Sequence, residues 1–325
     1  MRAYLLAGAV AFAAMAGATG ASAQAIIDQG TIQLGVDRLA QLNTGPGYPS
    51  ATGTSTVGLR DLRTGYESTS PGCLCEGWGI ADITNNYSGY ANNALGSNGL
   101  TFVSFSASGA GQVNANSVAS KVVAKSSVGN LLITHSFEAS ASSDLYRALV
   151  TVTNTGATAT GNLVYRRTMD WDIEPTPFNE YSTIQGVSGN VTANNNGFCN
   201  SNPLASCGSL GASGNFIDYG PSDQGANFDI GFAPLAAGAS QRFAIFYGAS
   251  LSESLAQTAL TAVGANVYSF GQSSNDRTGG NGSTFIFAFR GLAGTGVPEP
   301  ASWAMMIAGF GLVGGMMRRK ALMQA

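Results

Sequence analysis

Residues 131–139 read Leu-Leu-Ile-Thr-His-Ser-Phe-Glu-Ala. Taken two at a time, Leu131, Ile133, His135 and Phe137 fall on one side, and Thr134, Ser136 and Glu138 fall on the other. That is the period of a half-buried β-strand. From Asp144 to Thr153 the alternation resumes, with Tyr146, Ala148, Val150 and Val152 opposite Arg147 and Thr151. The Ser-rich residues between the two runs predict a hairpin. Asn154-Thr155-Gly156 breaks the pattern, and Asn162 to Ile173 resumes it. Further strands are predicted at Thr31–Val36, Thr101–Ala107, Phe228–Phe232, Gln241–Tyr247 and Thr284–Phe289. Many short strands punctuated by Gly, Asn and Ser imply an all-β fold, a large antiparallel β-sandwich. One short helix is expected: Ser252 is an N-cap, Glu253 suits the positive helix start, and Gly264 stops it. Leu255, Ala259, Leu260 and Val263 then form its apolar face.

The 325-residue chain is 44% hydrophobic, enough for a substantial core, but only 10% charged. With 15 basic and 18 acidic residues it has no field that would hold a phosphate backbone, so nucleic acid is excluded as a partner. One His and three Lys leave little material for multi-imidazole metal sites or a P-loop. Neither a G-x-S-x-G nor an H-E-x-x-H segment occurs.

Both ends read as addresses. Arg2, an apolar stretch from Tyr4 to about Ala16, and Ala21-Ser22-Ala23 are the three parts of a secretory signal peptide over residues 1–23. Its helix is removed by signal peptidase before Gln24, between Ala23 and Gln24. At the other end, residues 297–325 open with Val297-Pro298-Glu299-Pro300. They continue through the uncharged run Ala301–Met317 and close with Arg318, Arg319 and Lys320. Seventeen helical residues at about 1.5 Å each span about 25 Å, enough for a transmembrane helix over 301–317 in a thin bilayer. The basic cluster after it stays cytoplasmic, which leaves the preceding body outside.

This tail resembles the PEP-CTERM sorting signal, in the variant with Trp303-Ala304 shortly after the tripeptide. The resemblance implies that Pro298, Glu299, Pro300, Trp303, Arg318 and Arg319 form the signal read by an exosortase, a membrane protease of Gram-negative bacteria that make exopolysaccharide. It implies export across the inner membrane and transient anchoring through the C-terminal helix. Processing then places the body at the cell surface or outside the cell. The body itself is similar to secreted bacterial β proteins to which no activity is assigned.

Between the signals, residues 24–296 are expected to form one β-sandwich body. Its charge is more acidic than that of the whole chain, because four of the cations lie in the two signals. In an exported protein four cysteines argue for disulfides. Cys199 with Cys207 is the favoured pair, leaving Cys73 to Cys75; a four-thiolate zinc site is the weaker alternative, since the spacing is poor for one.

Asp170, Asp172 and Glu174 form the densest acidic group, with Glu180 close behind. In an extended strand they would share a face at about 6.5 to 7 Å while Trp171 and Ile173 point inward. Three readings follow: a solvated strand face neutralised in part by Arg166 and Arg167, which is favoured, a Ca²⁺ site, or a glycosidase-type carboxylate pair. No cofactor is expected, with calcium at this acidic group as the exception. His135, on an apolar face, is expected to be a hydrogen-bonded core residue. Trp78, Tyr48, Tyr66, Tyr87 and Tyr90 either plug the ends of the sandwich, the favoured reading, or present faces to sugars.

The expected function is therefore a non-enzymatic matrix or biofilm protein sorted by an exosortase. The alternatives are a carbohydrate-binding module or a polysaccharide-active enzyme using Asp170, Asp172 and Glu174. Extracellular polysaccharide is a further expected partner.

Overall fold

The computed structural model describes residues 24–28, 30–108, 112–113, 116–276 and 282–292. The expected signal peptide at residues 1–23, the sorting signal and the helix expected over 301–317 lie outside the described residues.

In chain order the strands are β1 (Gln24–Asp28), β2 (Ile32–Asp37), β3 (Leu59–Asp61), β4 (Tyr66–Glu67), β5 (Gly77–Asp82), β6 (Tyr87–Asn92) and β7 (Gly96–Asn98). There follow β8 (Thr101–Ser108), β9 (Gln112–Val113), β10 (Asn116–Ala119), β11 (Lys121–Val128), β12 (Leu131–Ala139), β13 (Leu145–Asn154) and β14 (Leu163–Trp171). The rest are β15 (Glu180–Gln185), β16 (Val191–Asn194), β17 (Phe216–Ser222), β18 (Gln224–Phe232) and β19 (Ser240–Ser250), then helix α1 (Glu253–Val263), β20 (Val267–Ser273) and β21 (Thr284–Arg290).

They form three sheets. A wide nine-stranded sheet has the order β17-β15-β20-β21-β19-β13-β12-β11-β8, and a six-stranded facing sheet the order β16-β18-β14-β5-β6-β7. A six-stranded end sheet runs β4-β3-β2-β1-β10-β9. Among the described residues pairing is antiparallel except between β1 and β10.

The predicted hairpin is β12–β13, with Leu131 opposite Asn154 and Ala139 opposite Tyr146. The inner faces of the wide and facing sheets meet through aromatic contacts. Phe228 packs edge-on to Phe287 with centroids 5.4 Å apart, and Tyr165 edge-on to Phe243 at 5.0 Å. One buried apolar cluster runs through residues of all three sheets.

The reverse face of the wide sheet carries α1. Phe243, Ile245 and Tyr247 of β19 and Phe285, Phe287 and Phe289 of β21 face the main core. Their neighbours Ala244, Phe246, Ile286 and Ala288 pack under the helix. Strands covered on both faces become continuous apolar runs, which is why these two lose the clean alternation of β12.

Ser252 caps α1 by accepting from Leu255 N, and Gly264 ends it in the left-handed conformation at φ 66°. The buried face is Ala256, Ala259, Leu260 and Val263. Leu255, expected there, is 49% exposed: the sheet meets the face one position further round.

Candidate functional site

Along β14 the two-residue period directs Tyr165, Arg167, Met169 and Trp171 into the core. Arg166, Thr168 and Asp170 point to the other side of the facing sheet, which would be wet if nothing covered it. The segment 195–214 covers it: Arg166 Nη1 donates to the carbonyls of Asn200, Asn202 and Ala205. Every β14 residue except Val164 is therefore buried.

Around Asp170 the approach is close enough to require glycine. A Cβ on Gly197 would lie 2.6 Å from Asp170 Cα, and one on Gly225, the register partner of Asp170 on β18, would lie 2.1 Å from the Met169 carbonyl.

The strand ends at Trp171, so Asp172 and Glu174 lie beyond it. There Asp172 N donates to Ser68 O at 2.8 Å and Glu174 N to Glu67 O at 3.0 Å. This bends the chain away from a regular pleat and parts the two carboxylates.

Asp172 joins Asp170 and Asp223, with ligand oxygens of the three all within 4.8 Å of one another. Asp223 occupies the turn between β17 and β18. Glu180, the first residue of β15, stands beside them with Oε1 accepting from Gln224 N at 3.1 Å. Asp170, Asp172 and Glu180 are at most 1% exposed, whereas Asp223 is exposed. Asp170 Oδ1, both oxygens of Asp172 and Glu180 Oε2 have no hydrogen-bond partner.

Burial first, and then the like charges of Asp172, Asp223 and Glu180, push the Asp170 carboxyl well above its ordinary range. Burial and Asp223 raise Asp172 to about 8. Burial raises Glu180 to about 9, against the opposing hydrogen bond from Gln224 N. Asp223 is also raised, by burial.

Glu174 belongs elsewhere. Its Oε1 accepts from the hydroxyls of Ser50, Thr52 and Thr54, and its Oε2 from Glu67 N at 2.9 Å. The predicted trio of Asp170, Asp172 and Glu174 is thus corrected: Asp223 takes the place of Glu174, and Asp170 and Asp172 are buried rather than on a solvated face, with Asp223 alone of the three exposed. Trp171 and Ile173 point inward as expected. Neither arginine neutralises the cluster, since Arg166 pairs with Asp229 and Arg167 with Glu76. Asp223 carries no sequence signal: it is a lone acid in a Gly-Pro-Ser-Asp turn, far along the chain from Asp170.

The cysteines pair as Cys73–Cys75 and Cys199–Cys207, with Cα separations of 5.3 and 5.5 Å. Cys73 Sγ lies 3.5 Å from Asp170 Oδ2. A disulfide sulfur carries neither a proton to donate nor a thiolate for a metal, so the cystine is a wall of the site.

His135 lies in the core. Its Nε2 is 2.9 Å from the Tyr165 hydroxyl, and its ring is 4.5 Å from that of Trp78. Trp78 is fully buried, its indole N–H donating to Leu39 O at 2.6 Å, so it offers no face to a sugar. Of the tyrosines considered with it, Tyr48 is the exposed one, at 61%. Pro298, Glu299, Pro300, Trp303, Arg318, Arg319, Ala21 and Ala23 lie outside the described residues; Gln24 opens β1.

Residues 296–320 match the PEP-CTERM protein-sorting motif. The chain therefore carries a signal for export and exosortase-dependent sorting at the membrane. No curated protein matches the chain. Among solved structures it is similar to a galactose mutarotase-like protein from Lactobacillus casei ATCC 334, at 9% identity and a TM-score of 0.33. That similarity covers 82% of this chain and 87% of the other.

Proposed function

We propose that this protein is a non-enzymatic component of the cell surface or extracellular matrix of a polysaccharide-producing Gram-negative bacterium. Its signal peptide directs export and is removed by signal peptidase, and an exosortase releases or re-anchors the body. The match of residues 296–320 to the sorting motif carries this reading.

The body adds support. Asp170, Asp172 and Glu180 are buried, Glu174 is occupied by four donors, and His135 is buried. A cavity of about 230 Å³ opens between Gly186, Asn190, Asn266 and Leu292, and its lining contains no titratable group. A carboxylate glycosidase needs a substrate-accessible acid and base on either side of the scissile bond. Neither feature offers that pair.

The test is expression in a host with an exosortase and in the same host lacking it. Mass spectrometry is expected to find a C-terminus near Pro298–Pro300 in the first, and full-length, membrane-retained protein in the second or in a Glu299→Ala variant. Identical C-termini in both hosts would overturn the sorting route. Turnover of the host polysaccharide that Asp170→Asn abolishes would overturn the non-enzymatic reading.

A further inference from the structure

Asp170, Asp172, Asp223 and Glu180 come from segments that belong to different sheets. Asp170 lies on β14 and Asp172 just after it; β14 and β18 belong to the facing sheet. Glu180 begins β15, a strand of the wide sheet, and Asp223 occupies the turn by which the chain leaves β17 of the wide sheet for β18 of the facing one. We propose that Asp170, Asp172 and Asp223 ligate a Ca²⁺ ion, flanked by Glu180, and that this ion ties the two sheets together where the chain crosses between them.

Three observations support the site. Oxygens bound to one Ca²⁺ at about 2.3 to 2.6 Å can be no more than about 5 Å apart, and the three carboxylates meet that limit. Asp172 is fully buried, yet neither of its oxygens has a partner, and one oxygen each of Asp170 and Glu180 is equally bare. Buried polar atoms are ordinarily satisfied, so three bare carboxyl groups converging on one place mark a missing positive partner. Among the described residues no Lys or Arg pairs with any of the four acids; the two nearest arginines in sequence are held by Asp229 and Glu76.

The donor set selects the ion. All donors are carboxylate oxygens, the adjacent sulfurs are joined in a disulfide, and the single His lies in the core, which removes the nitrogen and thiolate ligands zinc prefers. Mg²⁺ keeps several waters in a strict octahedron, whereas Asp170 and Asp172 are closed to water. Ca²⁺ accepts irregular, carboxylate-rich shells. The exposed Asp223 gives the ion its way in.

Because the ligands come from separate strands and turns, the site exists only in the folded chain, and binding stabilises that chain by an amount that grows with the logarithm of free calcium once it exceeds Kd. An exported protein would meet such calcium outside the cytoplasm.

The experiment uses the full exported protein, stripped with EGTA and titrated with CaCl2 by calorimetry and thermal unfolding. One saturable Ca²⁺ per chain is expected, with a Tm that rises with calcium and falls back in EGTA, and MgCl2 at least roughly tenfold weaker. Asp223→Asn, in an exposed turn, is expected to fold and to weaken Ca²⁺ binding at least roughly tenfold, and Asp172→Asn to remove it. A folded protein that binds no calcium up to roughly 10 mM, or binds Mg²⁺ as tightly, would overturn the assignment, as would unchanged affinity in Asp223→Asn. The readout is independent of C-terminal cleavage, so it fails separately from the sorting route.

Discussion

His135 is the only histidine in the chain, and it is held between Trp78 and Tyr165 with about 1% of its surface exposed. Burial, and after it the Arg167 charge, draw its pKa well below the ordinary 6.5. A group depressed in this way contributes stability above its unfolded pKa and loses it as pH falls toward the folded value. The imidazole is therefore expected to stay neutral as the pH falls through 6.5, and the stability it contributes declines below that value. Because no other histidine is present, its imidazole NMR signals need no assignment by mutagenesis; a titration midpoint near 6.5 would contradict the burial argument. The core placement of His135 was legible from its position among Leu131, Ile133 and Phe137. The burial of Asp172 was not, since an acid just past a strand end carries no periodic signal.

At the scale of elements, α1 shows how far local chemistry reaches. The Ser252 and Gly264 caps are sequence features, and both ends of the helix fall where they predict. Which way the helix turns its apolar stripe depends on the sheet beneath. Ala256 is buried in one cluster with Phe246, Phe270 and Ile286, while Leu255 is half exposed. Leu260→Ala is accordingly expected to cost about 2 to 5 kcal/mol, and Leu255→Ala less than about 0.5 kcal/mol. Ser252→Ala should cost about 1 kcal/mol through the lost cap. Urea unfolding of the three variants separates these outcomes; equal losses at Leu255 and Leu260 would contradict the observed packing. In β14 the same limit applies. Its alternation predicts one buried face, but segment 195–214 buries the second, and a covering loop leaves no imprint on the period of the strand it covers.

At the scale of the whole molecule, β1 begins at Gln24, the residue at which the mature chain is expected to start. It is an interior strand of the end sheet, pairing with β2 on one side and in parallel with β10 on the other. Ala25, Ile26 and Ile27 are essentially fully buried. Deleting residues 24–28 removes two buried isoleucines and both ladders. The expected loss is several kcal/mol, at about 2 to 5 for each buried Ile side chain. A thermal melt within about 2 °C of the parent would show that the end sheet is dispensable.

Taken alone, the sequence determined what depends on neighbours a few residues apart. That covers the all-β class from period-two runs, the capped helix, and the preference for Cys199–Cys207 with Cys73–Cys75. The sorting motif at residues 296–320 belongs to the same class, because a short linear signal is read without a fold. The tertiary structure alone decided which acids meet. Asp170 and Asp172 are joined by Asp223 because β14 pairs with β18 and the chain crosses from β17 at that point, and Glu174 is lost to the hydroxyls of Ser50, Thr52 and Thr54. Local periodicity records which face of a segment is apolar. It holds no record of the distant segment that closes over the other face, and the electrostatics of a carboxylate are set by that closure.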